Sequence, residues 1–215
     1  MNSADGGRGG GRPVPPTRDQ GESAFAPILR ALVGRVGGAL SAILVDGEGE
    51  AVDYAGVLDA FSARLAGAHW RIVLNDLIRA RANATLWIAV GALRRSYIAW
   101  ALPDGYALVV VLTRTAAFTG WERALRVCVA GIAEEAGWMG IRPPEWFAAS
   151  VATHADGRPV ALCLGERELS LEILGVVAKG LAPEERGWRV RLSSGAEATL
   201  IREASGNWYA DEPVF

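Results

Sequence analysis

The chain has two histidines, His69 and His154, and two cysteines, Cys128 and Cys163, and these set the range of chemistry its side chains could perform. His154 with Asp156 places an imidazole beside a carboxylate, which is the orienting half of a hydrolytic triad. Without a partnered nucleophile or a metal ligand set the pair makes no triad, and it reads as part of a surface loop. His69 falls inside a helical pattern, where a packed or interface histidine is expected rather than a ligand. Glu134-Glu135 and Glu184-Glu185 fit a solvated helix end and a loop, not two carboxylates facing each other across a substrate. The cysteines lie in separate predicted elements, so they make neither a disulfide framework nor a zinc set; two buried thiols in a reducing cytosol are expected. The glycines near the N-terminus do not follow a strand, and no G-x-x-x-x-G-K-[ST] run is present. No catalytic residue, cofactor or metal is therefore assigned.

With no chemistry assigned, composition and pattern become the guide. Of the 215 residues 51% are apolar, and mean hydropathy is slightly positive at +0.19. That is enough for a full core and leaves apolar surface over, which favours oligomerisation or partner binding. A net charge of −2 gives no field that would draw nucleic acid or anionic membrane. The longest apolar run, around 106–112, is too short to span a bilayer, and the N-terminus has no apolar signal region. A cytoplasmic location is expected. The sequon Asn83-Ala84-Thr85 is read as chance.

Residues 1–22 are rich in Gly, Pro and Arg and are expected to be a disordered tail, since they offer almost nothing to bury. Arg8, Arg12 and Arg18 could serve there as an arm for an anionic partner, but a solvated tail is the simpler reading. A first helix begins near Pro27 with the stripe Phe25, Ile28, Leu29, Leu32, Val33 and Val36, and ends at Gly37-Gly38. Residues 42–53, AILVDGEGEAVD, read as two short strands about an Asp46-Gly47 turn. A longer helix follows over about 57–81, and its pattern has two apolar sides. Leu58, Phe61, Leu65, Ala68 and Ile72 form one stripe. Ala63, Ala66, Trp70, Leu74, Leu77 and Ile78 form the other. The mainly polar sector, with Arg64, Arg71 and Asn75, is narrow. Such a helix belongs between two layers, and the expected second layer is another copy of the same helix; the alternative is that the C-terminal segment covers it.

Three strand patterns come next, at 85–93, 96–102 and 106–113, the last apolar at successive positions as in a central strand. Pro103-Asp104-Gly105 makes the turn between the second and third, and Arg94-Arg95 is expected to lie exposed at the bend before it. A closing helix opens on a capping box, Thr119-x-x-Glu122, carries Trp121, Leu125, Cys128, Val129, Ile132 and Ala136 on one stripe, and stops at Gly137. Residues 141–158 read as a linker, with Arg142-Pro143-Pro144. Beyond it, 159–165, 188–192, 198–202 and 208–210 read as strands of a small β module over 159–215, with 169–179 ambiguous between strand and helix.

The segment from about residue 24 to 138 resembles the roadblock / dynein light chain family in its bacterial form. The residues that carry the resemblance are FAPILRALVGRV, AILVDGEGEAVD, VLDAFSARLAGAHWRIVLNDLI, YIAWALPDGYALVVVLT and the final amphipathic helix. It implies an α+β fold over 23–140, α-ββ-α-βββ-α, with a five-stranded antiparallel sheet, the long helix on one face and the two terminal helices on the other. It further implies dimerisation through the long helix and the strand after it. The expected interface is therefore Ala63, Ala66, Trp70, Leu74, Leu77 and Ile78 with Trp87. The implied function is a non-catalytic, homodimeric scaffold or regulator of a small Ras-like GTPase or related signalling partner.

Two other readings stay open. One is a small-molecule sensor holding its ligand between sheet and long helix, for which Asp76 and His69 are the only polar candidates. The other is a nucleic-acid or protein adaptor working through Arg189, Arg191 and Arg202 with Trp208 and Tyr209 on the β module. The acidic balance of the chain argues against nucleic acid.

Overall fold

The computed structural model describes residues 21–80, 87–116, 120–139, 145–179 and 181–213. Its first unit runs α1 (Phe25–Arg35), β1 (Ala39–Val45), β2 (Ala51–Gly56), α2 (Ala60–Ala80), β3 (Trp87–Val90), β4 (Arg95–Ala101), β5 (Ala107–Thr113) and α3 (Glu122–Ala136). The strands form a five-stranded antiparallel sheet in the order β2-β1-β5-β4-β3. The continuously apolar strand β5 is central and buried on both sides, from Ala107 to Leu112, as its sequence requires. Strand alternation sends Leu44, Ile98, Trp100, Leu108 and Val110 to a layer made by α1 and α3. Their neighbours Ile43, Val45, Ala99, Val109 and Val111 go to the opposite layer, made by α2 alone. The α-ββ-α-βββ-α order and the division of the helices between two faces are as expected.

Local chemistry explains the joints. Asp46 Oδ1 accepts the N–H groups of Glu48 and Glu50 at 3.0 and 2.9 Å, and Gly49 takes φ +90°, which closes the β1–β2 turn. At Pro103–Gly105 the chain makes a single 3-10 turn with Asp104 at φ 53° and Gly105 at φ 79°. Gly137 ends α3 in the left-handed region at φ 68°. Thr119 of the proposed capping box lies outside the described residues; α3 itself starts at Glu122 with no side-chain cap on its Trp121 N-cap. The expectations for residues 1–20, for the sequon and for Arg142-Pro143-Pro144 also fall outside the described residues.

One joint was not visible in the pattern. Asp53, wholly buried on β2, accepts the Ser23 N–H at 2.9 Å and the Ser23 hydroxyl on one oxygen, and the Tyr54 N–H at 2.7 Å on the other. Ser23 in turn accepts the N–H of Ala26 on its carbonyl and that of Phe25 on its hydroxyl. A buried carboxylate thus anchors the start of α1 to the sheet edge.

The second unit consists of β6 (Phe147–Ala149), β7 (Val151–Thr153), β8 (Pro159–Leu164), β9 (Arg167–Val177), β10 (Arg186–Leu192), β11 (Glu197–Arg202) and β12 (Trp208–Ala210). Their order is β6-β12-β11-β10-β9-β8-β7. The two ends of that order are separated along the chain by Ser150 alone, so the sheet closes on itself as a small barrel. Leu162, Trp188, Val190, Leu192, Leu200 and Trp208 fill it, with the rings of Trp188 and Trp208 at 5.2 Å. Two differences from expectation follow. The strands β6 and β7 lie within the stretch read as linker, because three-residue strands have too little periodicity to show. The ambiguous segment is the strand β9, whose outward half stays exposed at Ile173, Leu174 and Val176.

The α2 layer depends on a close approach. A Cβ on Gly67 would stand 2.5 Å from Val45 Cγ1 and 3.2 Å from Ile43 Cγ2, whereas one on Gly34 of α1 meets nothing within 4 Å. Gly67→Ala is therefore expected to destabilise the chain by about 1–3 kcal/mol through overpacking. Gly34→Ala is expected to stabilise it by up to about 1 kcal/mol through helix propensity. Urea denaturation of the two variants checks the pair.

Candidate functional site

Helix α2 is where the sequence pattern and the fold meet. Its sheet-facing line is Ala63, Gly67, Trp70 and Leu74, all buried. At about 100° per residue, Phe61, Leu65, Ala68 and Ile72 fall on the side directly opposite. Phe61, Leu65 and Ile72 are 74%, 59% and 61% exposed. Beside this stripe, against the β1–β2 turn, lies an open hollow of about 620 Å³ lined by Gly49, Glu50, Ala51, Phe61, Leu65 and Ala68 among others. Large apolar side chains grouped on one helix face, rather than scattered singly, mark an interaction surface.

The helix has two apolar sides, as its sequence says, but the side that packs on the sheet is the one expected to receive a second layer. The stripe expected to receive a second layer contains Ala63, Trp70 and Leu74, and these form the core beneath the chain's own sheet. Ala66, Leu77 and Ile78 are half-buried along the flank. Trp87 sits on the other face of the sheet, its ring 4.9 Å from that of Trp121 at the start of α3. The physical reason is size: the line nearest the sheet holds Ala63 and Gly67, which admit close approach, while Phe61 and Leu65 would hold the backbones apart. Arg71, placed in the solvated sector by its charge, is buried beside Gly105, where its Nη1 donates to Asn75 Oδ1. Burial holds its guanidinium below its usual pKa, against the opposing charge of Asp46.

The barrel docks on the other layer. Asn207 Nδ2 donates to the Arg35 carbonyl of α1 at 2.6 Å, and the Arg35 guanidinium lies 5.8 Å from the centre of the Tyr209 ring. From α3, Arg123 donates to Glu185 and, at 3.3 Å, to Glu203, with Trp146 beneath its guanidinium. Burial pushes both carboxyls up. At Glu185 the hydrogen bonds from Arg123 and the Ala182 N–H outweigh it and the pKa falls below the usual value; at Glu203 burial wins over Arg123 and the pKa is raised. For Arg123, burial is outweighed by the two carboxylates and its pKa rises. Glu185 is thus not the solvated loop residue its neighbourhood in sequence suggests. The trio was missed because its members lie 62 and 80 residues apart and long-range pairing leaves no periodic mark.

The remaining candidates stay apart. His69 is exposed on α2, edge-on to Trp70. His154 binds Arg158 through the backbone, while Asp156 pairs with Arg158 at 3.3 Å. Burial pushes the Cys128 thiol up to about 12, and Cys163 is only half-buried. Among the described residues no group of three or more His, Cys, Asp or Glu side chains is arranged to hold a metal ion, and no helix is long and apolar enough to cross a membrane. Asp76 and His69 both face solvent, so neither lies between sheet and helix. Trp208 and Tyr209 are buried and Arg189 and Arg191 are paired with Glu197, which removes the stacking surface a single strand would need.

No family model matches the chain, and no curated protein matches it. Among solved structures, it is similar to a Roadblock/LC7 domain from Streptomyces avermitilis, at 20% identity over 54% of this chain and 99% of that one, with a TM-score of 0.48. It is also similar to Myxococcus xanthus MglB, at 13% identity over 53% and 94% with a TM-score of 0.46. A third is the gliding protein MglB from Thermus thermophilus, at 18% identity over 58% and 98% with a TM-score of 0.44. The unit from α1 to α3 has the element order and the five-stranded antiparallel sheet expected above for a roadblock-like domain. These likenesses cover little more than half of the chain, which continues into the barrel.

The Arg123 trio yields a pH test with opposite signs. The lowered Glu185 contributes stability above the ordinary glutamate value of 4.5 that is lost as pH falls through its folded value. The raised Glu203 contributes stability that is complete below 4.5 and lost as pH rises through its folded value. At pH 7 Glu185→Gln is expected to cost about 1–3 kcal/mol and Glu203→Gln less, with the gap between them closing on acidification. Urea titrations at several pH values measure this.

Proposed function

We propose that this chain is a non-catalytic, homodimeric scaffold or regulator that binds a small Ras-like GTPase or related signalling partner. One observation carries the dimer: the barrel docks on α1 and α3, while Phe61, Leu65 and Ile72 of α2 stay exposed on the far side of the sheet. A covering layer from within the described chain was the alternative, and the described barrel leaves that face open. A second copy meets the stripe with the same stripe across a two-fold axis, so one apolar face satisfies both partners. The interface is accordingly assigned to Phe61, Leu65 and Ile72 in place of Trp70 and Leu74. The GTPase is taken from the family resemblance of residues 24–138, and a surface that binds rather than reacts agrees with it.

The complete chain is expected to have the mass of a dimer by light scattering at micromolar concentration. Leu65→Asp with Ile72→Asp, both at exposed positions, is expected to weaken association at least about 100-fold, since central interface anchors each contribute about 2 kcal/mol or more, without lowering the melting temperature of the monomer. Trp70→Asp or Leu74→Asp is expected to unfold the α2 layer instead. A wild-type monomer at every concentration overturns the dimer. Failure of the dimer to capture any Ras-like GTPase of the same cell, loaded with GDP or a GTP analogue, overturns the partner.

A further inference from the structure

An open groove of about 520 Å³ runs along the seam between α1 and the barrel. Gly34 and Arg35 line it from α1, Ser150 and Thr153 from the bend that closes the barrel, and Arg202 and Asn207 from the end of β11 and the turn after it. None of its lining residues is acidic. Among the described residues neither Arg35 nor Arg202 forms an ion pair, although Arg123, Arg189 and Arg191 each face carboxylates. Both guanidiniums are instead laid against aromatic rings, Arg35 at 5.8 Å from the Tyr209 centroid and Arg202 at 6.0 Å from that of Trp208. Contact with a ring face restrains a guanidinium while leaving N–H groups at its edge for an anion. The position of Asn207 is set by its hydrogen bond to the Arg35 carbonyl, and the Ser150 and Thr153 side chains carry hydroxyls that can donate.

We propose that this groove binds a soluble phosphate-bearing ligand, held in a fork by Arg35 and Arg202, and that its occupancy fastens the barrel to α1. With two guanidiniums and no carboxylate in its lining, the groove favours a dianion, which both arginines can pair with. Recognition by guanidinium forks suits the tetrahedral oxygens of phosphate better than a spherical halide. The site is on the α1/α3 side of the sheet, so it is independent of the α2 interface.

The test is a titration of the complete, isotope-labelled chain with inorganic pyrophosphate at constant ionic strength. It is followed by the Asn207 side-chain amide and the arginine Nε–H resonances in NMR. Saturable shifts at Asn207, Arg35 and Arg202 are expected, with at least a tenfold weaker affinity in Arg202→Gln. Arg158→Gln, which removes an exposed arginine paired with Asp156, is expected to leave the affinity unchanged. Should Arg202→Gln melt early, Arg35→Lys, which keeps the charge and loses the fork, is expected to weaken binding severalfold. Vesicles carrying phosphoinositide form a second arm: binding to them without binding to pyrophosphate overturns the soluble ligand. The proposal is also overturned if shifts are unsaturable, are spread over all arginines, or fall equally in Arg158→Gln.

Discussion

The close approach of α2 to β1 at Gly67 decides much of what this molecule can do. Because no side chain stands between Gly67 and Val45, the helix lies down on the sheet with Ala63, Trp70 and Leu74 in the core. The same rotation of the helix puts Phe61, Leu65 and Ile72 on the outside. A helix turned the other way would bury more apolar area per side chain but could not come as near. Packing density, not hydrophobicity alone, selects the inner face.

The barrel extends this logic to the opposite layer. Its contacts with α1 and α3 are largely polar: an amide to a helix carbonyl, a half-buried arginine shared by two carboxylates, and a guanidinium against a tyrosine ring. Such contacts are directional, so they set an orientation as well as an attachment. Docked there, the barrel leaves α2 uncovered, and the molecule has one face joined within the chain and one available for association. The raised Glu203 beside the lowered Glu185 shows how the seam balances burial against pairing around a single arginine.

Most of the first unit was legible because its elements are long and periodic. The α1 stripe, the Asp46 and Asp104-Gly105 turns, the two-sided α2 and the central β5 are each local patterns, and each lies where the pattern puts it. Short strands were not legible: β6 and β7 carry three residues apiece and sit next to a proline-rich stretch, so they read as connection. The site was half legible. That α2 has a spare apolar face follows from its composition, but which face is spare does not.

By itself, then, the sequence determined the secondary elements and the surplus of apolar surface on one helix, because these follow from side-chain periodicity and turn chemistry within a few residues; the split of the helices around an antiparallel sheet came from the family resemblance of residues 24–138. Only the tertiary structure decided which stripe of α2 faces inward, that Asp53 anchors α1, that Arg123 joins Glu185 and Glu203, and that Arg35 and Arg202 share a groove. All of these depend on which residues, distant in the chain, reach the same place, and on how closely two backbones can approach. Local pattern carries neither kind of information.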